Sequence, residues 1–139
     1  MYLGTAGNDT LTGNATFNTL AGGLGNDTLT GGGGADSFVF NSALDGATNR
    51  DTITDFVAGT DRILLDDAVF ASLAPGSLAT ENFVKNASGT PVDGNDFIVY
   101  NTTTGALSYD PDGVGGQAAI AFATLTSLPI LTFVDFSVV

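Results

Sequence analysis

Asp9, Asp27 and Asp36 occupy one position of a recurring nine-residue unit, and Asn18 occupies that position in the unit between the first two. The units Gly22-Gly23-Leu24-Gly25-Asn26-Asp27-Thr28-Leu29-Thr30 and Gly31-Gly32-Gly33-Gly34-Ala35-Asp36-Ser37-Phe38-Val39 both follow Gly-Gly-x-Gly-x-Asp-x-U-x, where U is a large apolar residue. Carboxylates repeating among glycine-rich turns suit one chemistry above others, the coordination of a hard cation by carboxylate and main-chain oxygens. Calcium accepts roughly 6–8 such oxygens in flexible geometry. The chain has no Cys and no His, so softer metals lack their usual ligands. Calcium is the expected cofactor.

Short elements must hold these carboxylates in place. Gly4-Thr5-Ala6-Gly7-Asn8-Asp9-Thr10-Leu11-Thr12 matches the unit with one glycine lost, and Gly13 to Ala21 is degenerate, with Thr16 for glycine and Asn18 for aspartate. Each unit predicts a tight turn, where glycine adopts positive φ without steric cost, followed by a three-residue strand. Such nine-residue periods belong to calcium-binding parallel β solenoids. The U residues Leu11, Leu20, Leu29 and Phe38 then point inward. Turns alternate sides, so turns two units apart stack at the strand spacing of roughly 4.8 Å. That pairs Asp9 with Asp27 on one edge and Asn18 with Asp36 on the other. Two carboxylates about 5 Å apart repel by about 0.8 kcal/mol in water, and by about 3 kcal/mol at an effective dielectric of 20. A cation between stacked turns removes that repulsion and gathers main-chain oxygens. The expected ligands are Gly4, Ala6 and Asp9; Gly22, Gly23, Leu24, Gly25 and Asp27; and Gly31, Gly32, Gly33, Gly34 and Asp36. Asp45 or Asp51 closes the turn stacked on Asp27, and Asp55 or Asp61 the turn stacked on Asp36. Carboxylates in such turns also serve as simple caps. Tyr2 falls on the apolar position of a preceding unit, so the chain reads as beginning mid-repeat, as part of a longer protein.

Fifteen acidic against three basic residues give a net charge of −12, and every acidic residue except Glu81 is Asp. Asp prefers turns to helices, which places the charge on loops. Nucleic acid and anionic membrane are excluded as partners at that charge. Zero Cys leaves no disulfide framework. Met1-Tyr2-Leu3-Gly4 is no amino-terminal leader, and the longest apolar run, Ala118 to Ala123, is far short of the roughly 18 residues of a membrane span. Catalysis finds no support: there is no zinc-binding HExxH, no GxSxG elbow and no GxxxxGK[ST] phosphate loop. A non-catalytic module is expected.

The fold class expected is all-β, a parallel β-roll over residues 1–65 followed by a mostly antiparallel β cap over 66–139 with one or two short helices. Ser37 to Phe40, Asp51 to Phe56 (with Ile53 inward) and Arg62 to Leu65 read as the roll's last strands. Every phenylalanine but Phe17 lies beyond residue 37, so the cap has its own core. Asp67 to Leu73, stopped by Pro75-Gly76, predicts a short helix, and Leu78 to Val84 another. Asp96–Tyr100, Ala106–Tyr109 and Ala118–Thr124 predict strands, with a hairpin loop at Asn101 to Gly105. Thr132 with Asp135 predicts a capped turn before a terminal strand, Phe136–Val139. Asp110-Pro111-Asp112-Gly113 opens like an EF-hand loop, but the rest of that loop is missing and a Pro-Asp-Gly turn needs no metal.

The nonapeptides, with Gly34 to Phe40, Asp51-x-Ile53-x-Asp55-Phe56 and Gly59-x-Asp61-x-Ile63, resemble the carboxy-terminal RTX region of serralysin-type and related secreted bacterial proteins. Ile98 to Asp110, Asp112-Gly113, Ala118 to Leu125 and the ending Leu131 to Val139 resemble the terminal segment of type I secretion targets. The resemblance implies calcium-induced folding after export to the extracellular space through a type I ABC transporter, steered by an uncleaved carboxy-terminal signal. The degenerate second unit departs from the pattern at the Asn18/Asp36 site. The alternative function is a calcium-rigidified module that binds a polysaccharide or a surface partner, as part of a carbohydrate-active enzyme or adhesin. Phe17, in a turn where a small polar residue is expected, is its one hint.

Overall fold

A computed structural model describes all residues, 1–139. The chain forms β1 (Tyr2–Leu3), β2 (Thr10–Thr12), β3 (Thr19–Ala21), β4 (Thr28–Thr30), β5 (Ser37–Phe40), β6 (Asp51–Ile53) and β7 (Arg62–Leu65). Odd-numbered strands pair in parallel as one sheet and even-numbered ones as the other. The chain therefore winds as a flattened coil, crossing from sheet to sheet at every turn. Side chains of a strand point alternately to its two faces, and in β2, β3 and β4 the apolar residue between the sheets is the middle one. Leu20, Leu29 and Phe38 are accordingly fully buried, whereas Tyr2 and Leu11, in the terminal layer, are only partly covered.

The remaining strands are β8 (Gly76–Ser77), β9 (Phe83–Asn86), β10 (Ile98–Asn101), β11 (Ala106–Tyr109), β12 (Ile120–Leu125) and β13 (Phe136–Val138). The β10–β11, β11–β12 and β8–β13 pairs are antiparallel, and β9 joins β10 in parallel. The β10–β11 loop is set by local chemistry. Asn101 Oδ1 accepts the N–H groups of Thr103 and Thr104 at 2.9 and 3.0 Å, and Gly105 takes the left-handed conformation (φ 79°) that ends the turn.

Two cap strands continue the coil. β12 lies parallel on β6, with Leu125 opposite Ile53, and β13 lies parallel on β7, with Phe136 opposite Ile63. One inward column thus runs Tyr2, Leu20, Phe38, Ile63, Phe136, and the other Leu11, Leu29, Ile53, Leu125. Both sheets and a single core of 21 buried residues run through residue 65 without interruption. Edge-to-face aromatic contacts close the wide end: Phe122 meets Phe40 and Phe70 at 5.0 and 5.1 Å, and Phe70 meets Tyr109 at 5.1 Å.

The helices differ from expectation. Residues 67–73 form hydrogen-bonded turns from the Asp66 carbonyl, bury Phe70 and stop before Pro75. Leu78 to Val84 contains a 3₁₀ turn, Thr80–Asn82, and then enters β9. Both segments are too short to offset helix nucleation, and sheet pairing takes Phe83 and Val84. The expected capped turn is a 3₁₀ turn at Phe133–Asp135, in which Asp135 Oδ2 accepts the Thr132 N–H at 2.8 Å.

Candidate metal centre

The turns stack on two edges. Along the first edge lie the 4–9 turn, the 22–27 turn and the longer 41–50 loop that leads into Asp51. Asp27 Oδ1 accepts the Asp9 N–H at 2.8 Å, and Asp51 Oδ1 accepts the Asp27 N–H at 3.1 Å. Along the second edge, Asp36 Oδ1 accepts the Asn18 N–H at 2.8 Å and Asp61 Oδ1 the Asp36 N–H at 2.9 Å. Each stacked residue therefore spends one carboxylate oxygen on the turn before it and leaves the other for a second partner.

At Asp27 that second oxygen has none. Asp27 is 1 % exposed, and its Oδ2 is buried without a hydrogen-bond partner. A buried carboxylate oxygen with no donor is costly, and a cation is the natural remedy. Glycine makes the room. A Cβ built at Gly22 would overlap Asp27 Oδ2, and one at Gly4 would overlap the Gly22 carbonyl oxygen and lie 3.0 Å from Asp9 Oδ2. Carboxylate and carbonyl oxygens of adjacent turns thus crowd into space that any other side chain would fill. The second edge repeats the cradle, with Asn18 Oδ1 and the Gly31 carbonyl oxygen against Gly13, and Asp36 Oδ2 against Gly31. There an amide oxygen stands where the first edge has the Asp9 carboxylate, so the shape is kept and one charge is lost. No point in the structure gathers three acidic side chains. A cation would be held by two carboxylates at most, together with main-chain oxygens, which suits calcium's large and flexible shell. The residues present fit the ion.

Gly4, Ala6 and Asp9, with Gly22 to Gly25 and Asp27, lie together on the first edge, and Gly31 to Gly34 with Asp36 on the second. Asp51 and Asp61 continue the two columns. Asp45 lies outside them: it is exposed and accepts the N–H groups of Ala47 and Thr48 in its own loop, which hold its carboxyl below the usual range. Asp55 accepts the Gly31 and Gly32 N–H groups at 2.9 and 2.8 Å, beside the column instead of within it. Burial pushes the Asp51 carboxyl up to about 7, with the Asp27 charge adding to the rise against the pull of the Asp27 N–H. Burial also raises Asp61, and the charges of Asp36 and Asp55 add to it. Stacked carboxylates without a counter-ion resist ionisation.

Three contributors escaped the sequence reading. Ser42 Oγ donates to the Gly23 carbonyl oxygen at 2.6 Å, and Asn49 Oδ1 accepts the Gly25 N–H at 3.1 Å while its amide bonds Ser42 and Ala43. These groups clamp the long loop onto the 22–27 turn. Asp135 Oδ1 accepts the Gly59 N–H at 2.7 Å, tying the tail to the loop that carries Asp61. Only the Thr132/Asp135 spacing hinted at the last. Phe17 is the one aromatic among the exposed large hydrophobic residues. No helix is long and apolar enough to cross a membrane.

Residues 3–38 match the family model of the RTX calcium-binding nonapeptide repeat, in four copies. Residues 3–38 are thus similar to a repeat whose family binds calcium ions. No curated protein was found to match the chain.

Proposed function

We propose that this chain is a calcium-folded export module, in which residues 1–65 bind calcium, residues 66–139 form the cap, and the tail is the type I secretion signal of a larger secreted protein. The observation that carries the calcium part is the buried, unpartnered Asp27 Oδ2 among glycine turns that leave no room for a side chain. On the first edge, Asp9 and Asp27 with main-chain oxygens of Gly4, Ala6 and Gly22 to Gly25 would hold one ion. Asp36 with Gly31 to Gly34 would serve the second edge, and Asp51 and Asp61 would close the following gaps. Bound calcium supplies positive charge between stacked carboxylates and a crosslink between successive turns. Asp51 and Asp61, whose carboxyls are raised by burial and by neighbouring carboxylates, are the groups through which cation and proton compete.

The export part rests on the resemblance of the tail, on the association of RTX repeats with secreted bacterial proteins, and on where the tail sits. Phe136 and Val138 are buried in β13, between β7 and β8. A transporter can read them only in an unfolded chain. A cytosol poor in free calcium keeps the roll open, and the open roll withholds β7, the strand on which β13 stacks. Outside the cell calcium orders the roll, and the cap closes on it. Fusing residues 66–139 to a slow-folding passenger is expected to support secretion through a compatible type I transporter, and deleting Asp135–Val139 to abolish or greatly reduce it. β13 is also a structural strand, so export and melting are measured on the same variants. Truncations that lower the melting temperature and leave the exported fraction unchanged would refute the signal.

A further inference from the structure

The Asp110-Pro111-Asp112-Gly113 turn between β11 and β12 lies outside the stacked edges, yet it holds the structure's other orphaned carboxylate oxygen. Asp112 Oδ1 is buried and has no hydrogen-bond partner, while Asp112 Oδ2 accepts the Gln117 N–H at 3.2 Å. Asp110 is 3 % exposed, and no group outside the turn donates to its carboxylate; its Oδ1 takes only a long 3.3 Å bond from the Asp112 N–H. Burial raises the Asp110 carboxyl, and the facing Asp112 charge adds to the rise. None of the three basic side chains compensates them: Arg50 bonds Thr124, Arg62 bonds Val134 and Ser137, and Lys85 bonds Leu131.

The turn is also held firmly. Tyr109 Oη accepts the Ser72 N–H and donates to Ser72 Oγ, both at 2.9 Å, and Ser72 Oγ donates to the Pro111 carbonyl oxygen at 2.8 Å. Asp110 N–H bonds Phe97 and Val114 N–H bonds Asp93. Gly113 sits at φ 62° against the backbone of Asp93 and Gly94, and a Cβ at Gly115 would overlap Asp112 Oδ2. Beyond it, residues 114–117 are exposed. The buried Asp110 carboxylate and the buried, unpartnered Asp112 Oδ1, held without a counter-ion and bordered by water, are the arrangement a hard divalent cation completes.

We propose that Asp110 and Asp112 form a further calcium site, in the cap and independent of the nonapeptide stacks, with water filling the positions on its open side. Two carboxylates and water place its dissociation constant at about 10⁻⁴–10⁻³ M, the range of extracellular calcium modules. The test is an amide NMR titration of the full chain with calcium chloride, comparing wild type with Asp112→Asn and Asp110→Asn. In wild type the amides of Asp112, Gly113, Gly115 and Gln117 are expected to shift at millimolar calcium, after those of residues 4–61 have reached their end points. Both substitutions are expected to abolish this late phase and leave the residue 4–61 shifts intact, which also shows that the variants fold. Shifts confined to residues 4–61 in wild type, or a late phase that survives in Asp112→Asn, would overturn the site without touching the nonapeptide stacks.

Discussion

Asp51 gives the sharpest handle on the stacked carboxylates, because its state reports what calcium relieves. In the calcium-free fold its carboxyl is raised from 3.8 to about 7, first by burial and then by Asp27. A folded value above the unfolded one means that the folded protein holds the proton more tightly. Stability from this group is therefore complete below about pH 4 and is lost as pH rises through about 7. At about 1.4 kcal/mol per unit, that shift corresponds to about 4 kcal/mol. Between pH 5 and pH 8.5 about 3 kcal/mol of it is traversed, and Asp61, raised in the same direction, adds to it. The assay is urea unfolding of chelator-treated protein across that range, for wild type and Asp51→Asn. With a slope of about 1–3 kcal/mol per molar urea, the wild-type midpoint is expected to fall by about 1–3 M. Asp51→Asn, which keeps an oxygen for the Asp27 N–H, is expected to lose most of that dependence. Where the calcium-free roll is already open at pH 7, the same energy reads as a gain of β signal on acidification to pH 5. Saturating calcium favours ionised Asp51 and is expected to flatten or reverse the trend. Equal pH dependence in the two proteins, or calcium-free stability that rises with pH, would refute the electrostatic account.

Two further outcomes are expected. Circular dichroism and melting in chelator should show a disordered roll that calcium folds, each site adding about 2.7 kcal/mol at one hundred times its dissociation constant; magnesium should substitute badly, since it demands a smaller octahedral shell, and identical melting in chelator and calcium would count against the module. Calorimetric titration should show a larger loss of calcium affinity for Asp27→Ala than for Asn18→Ala, because Asp27 bonds the turn on either side of it and carries the orphaned oxygen, whereas Asn18 brings only an amide; the reverse order would overturn the register.

The nine-residue period was enough to determine the roll, its inward column and the first carboxylate pair. Each is a local consequence of where glycine and one apolar residue recur, and Asp9 and Asp27 sit one full coil, 18 residues, apart. Beyond Phe38 the period breaks. Asp51 lies 24 residues after Asp27, and Asp61 lies 25 after Asp36. Spacing alone could not choose between Asp45 and Asp51 or between Asp55 and Asp61. Stacking could, because only Asp51 and Asp61 accept the N–H of the aspartate one coil earlier, whereas Asp45 bonds its own loop and Asp55 bonds Gly31 and Gly32. The hairpin at Asn101 to Gly105 and the turn before β13 were legible for the same local reason as the repeats. The short helices were not, since a few residues of apolar pattern fit a turn or a strand equally well until a neighbour decides. That β12 and β13 continue the coil as parallel rungs was decided only by tertiary structure. Nothing in Ile120 to Leu125 or Phe136 to Val138 repeats the nonapeptide. What recruits them is the open edge of β6 and β7, whose unpaired backbone groups and buried Ile53 and Ile63 need a partner, and that need exists only once the coil has formed.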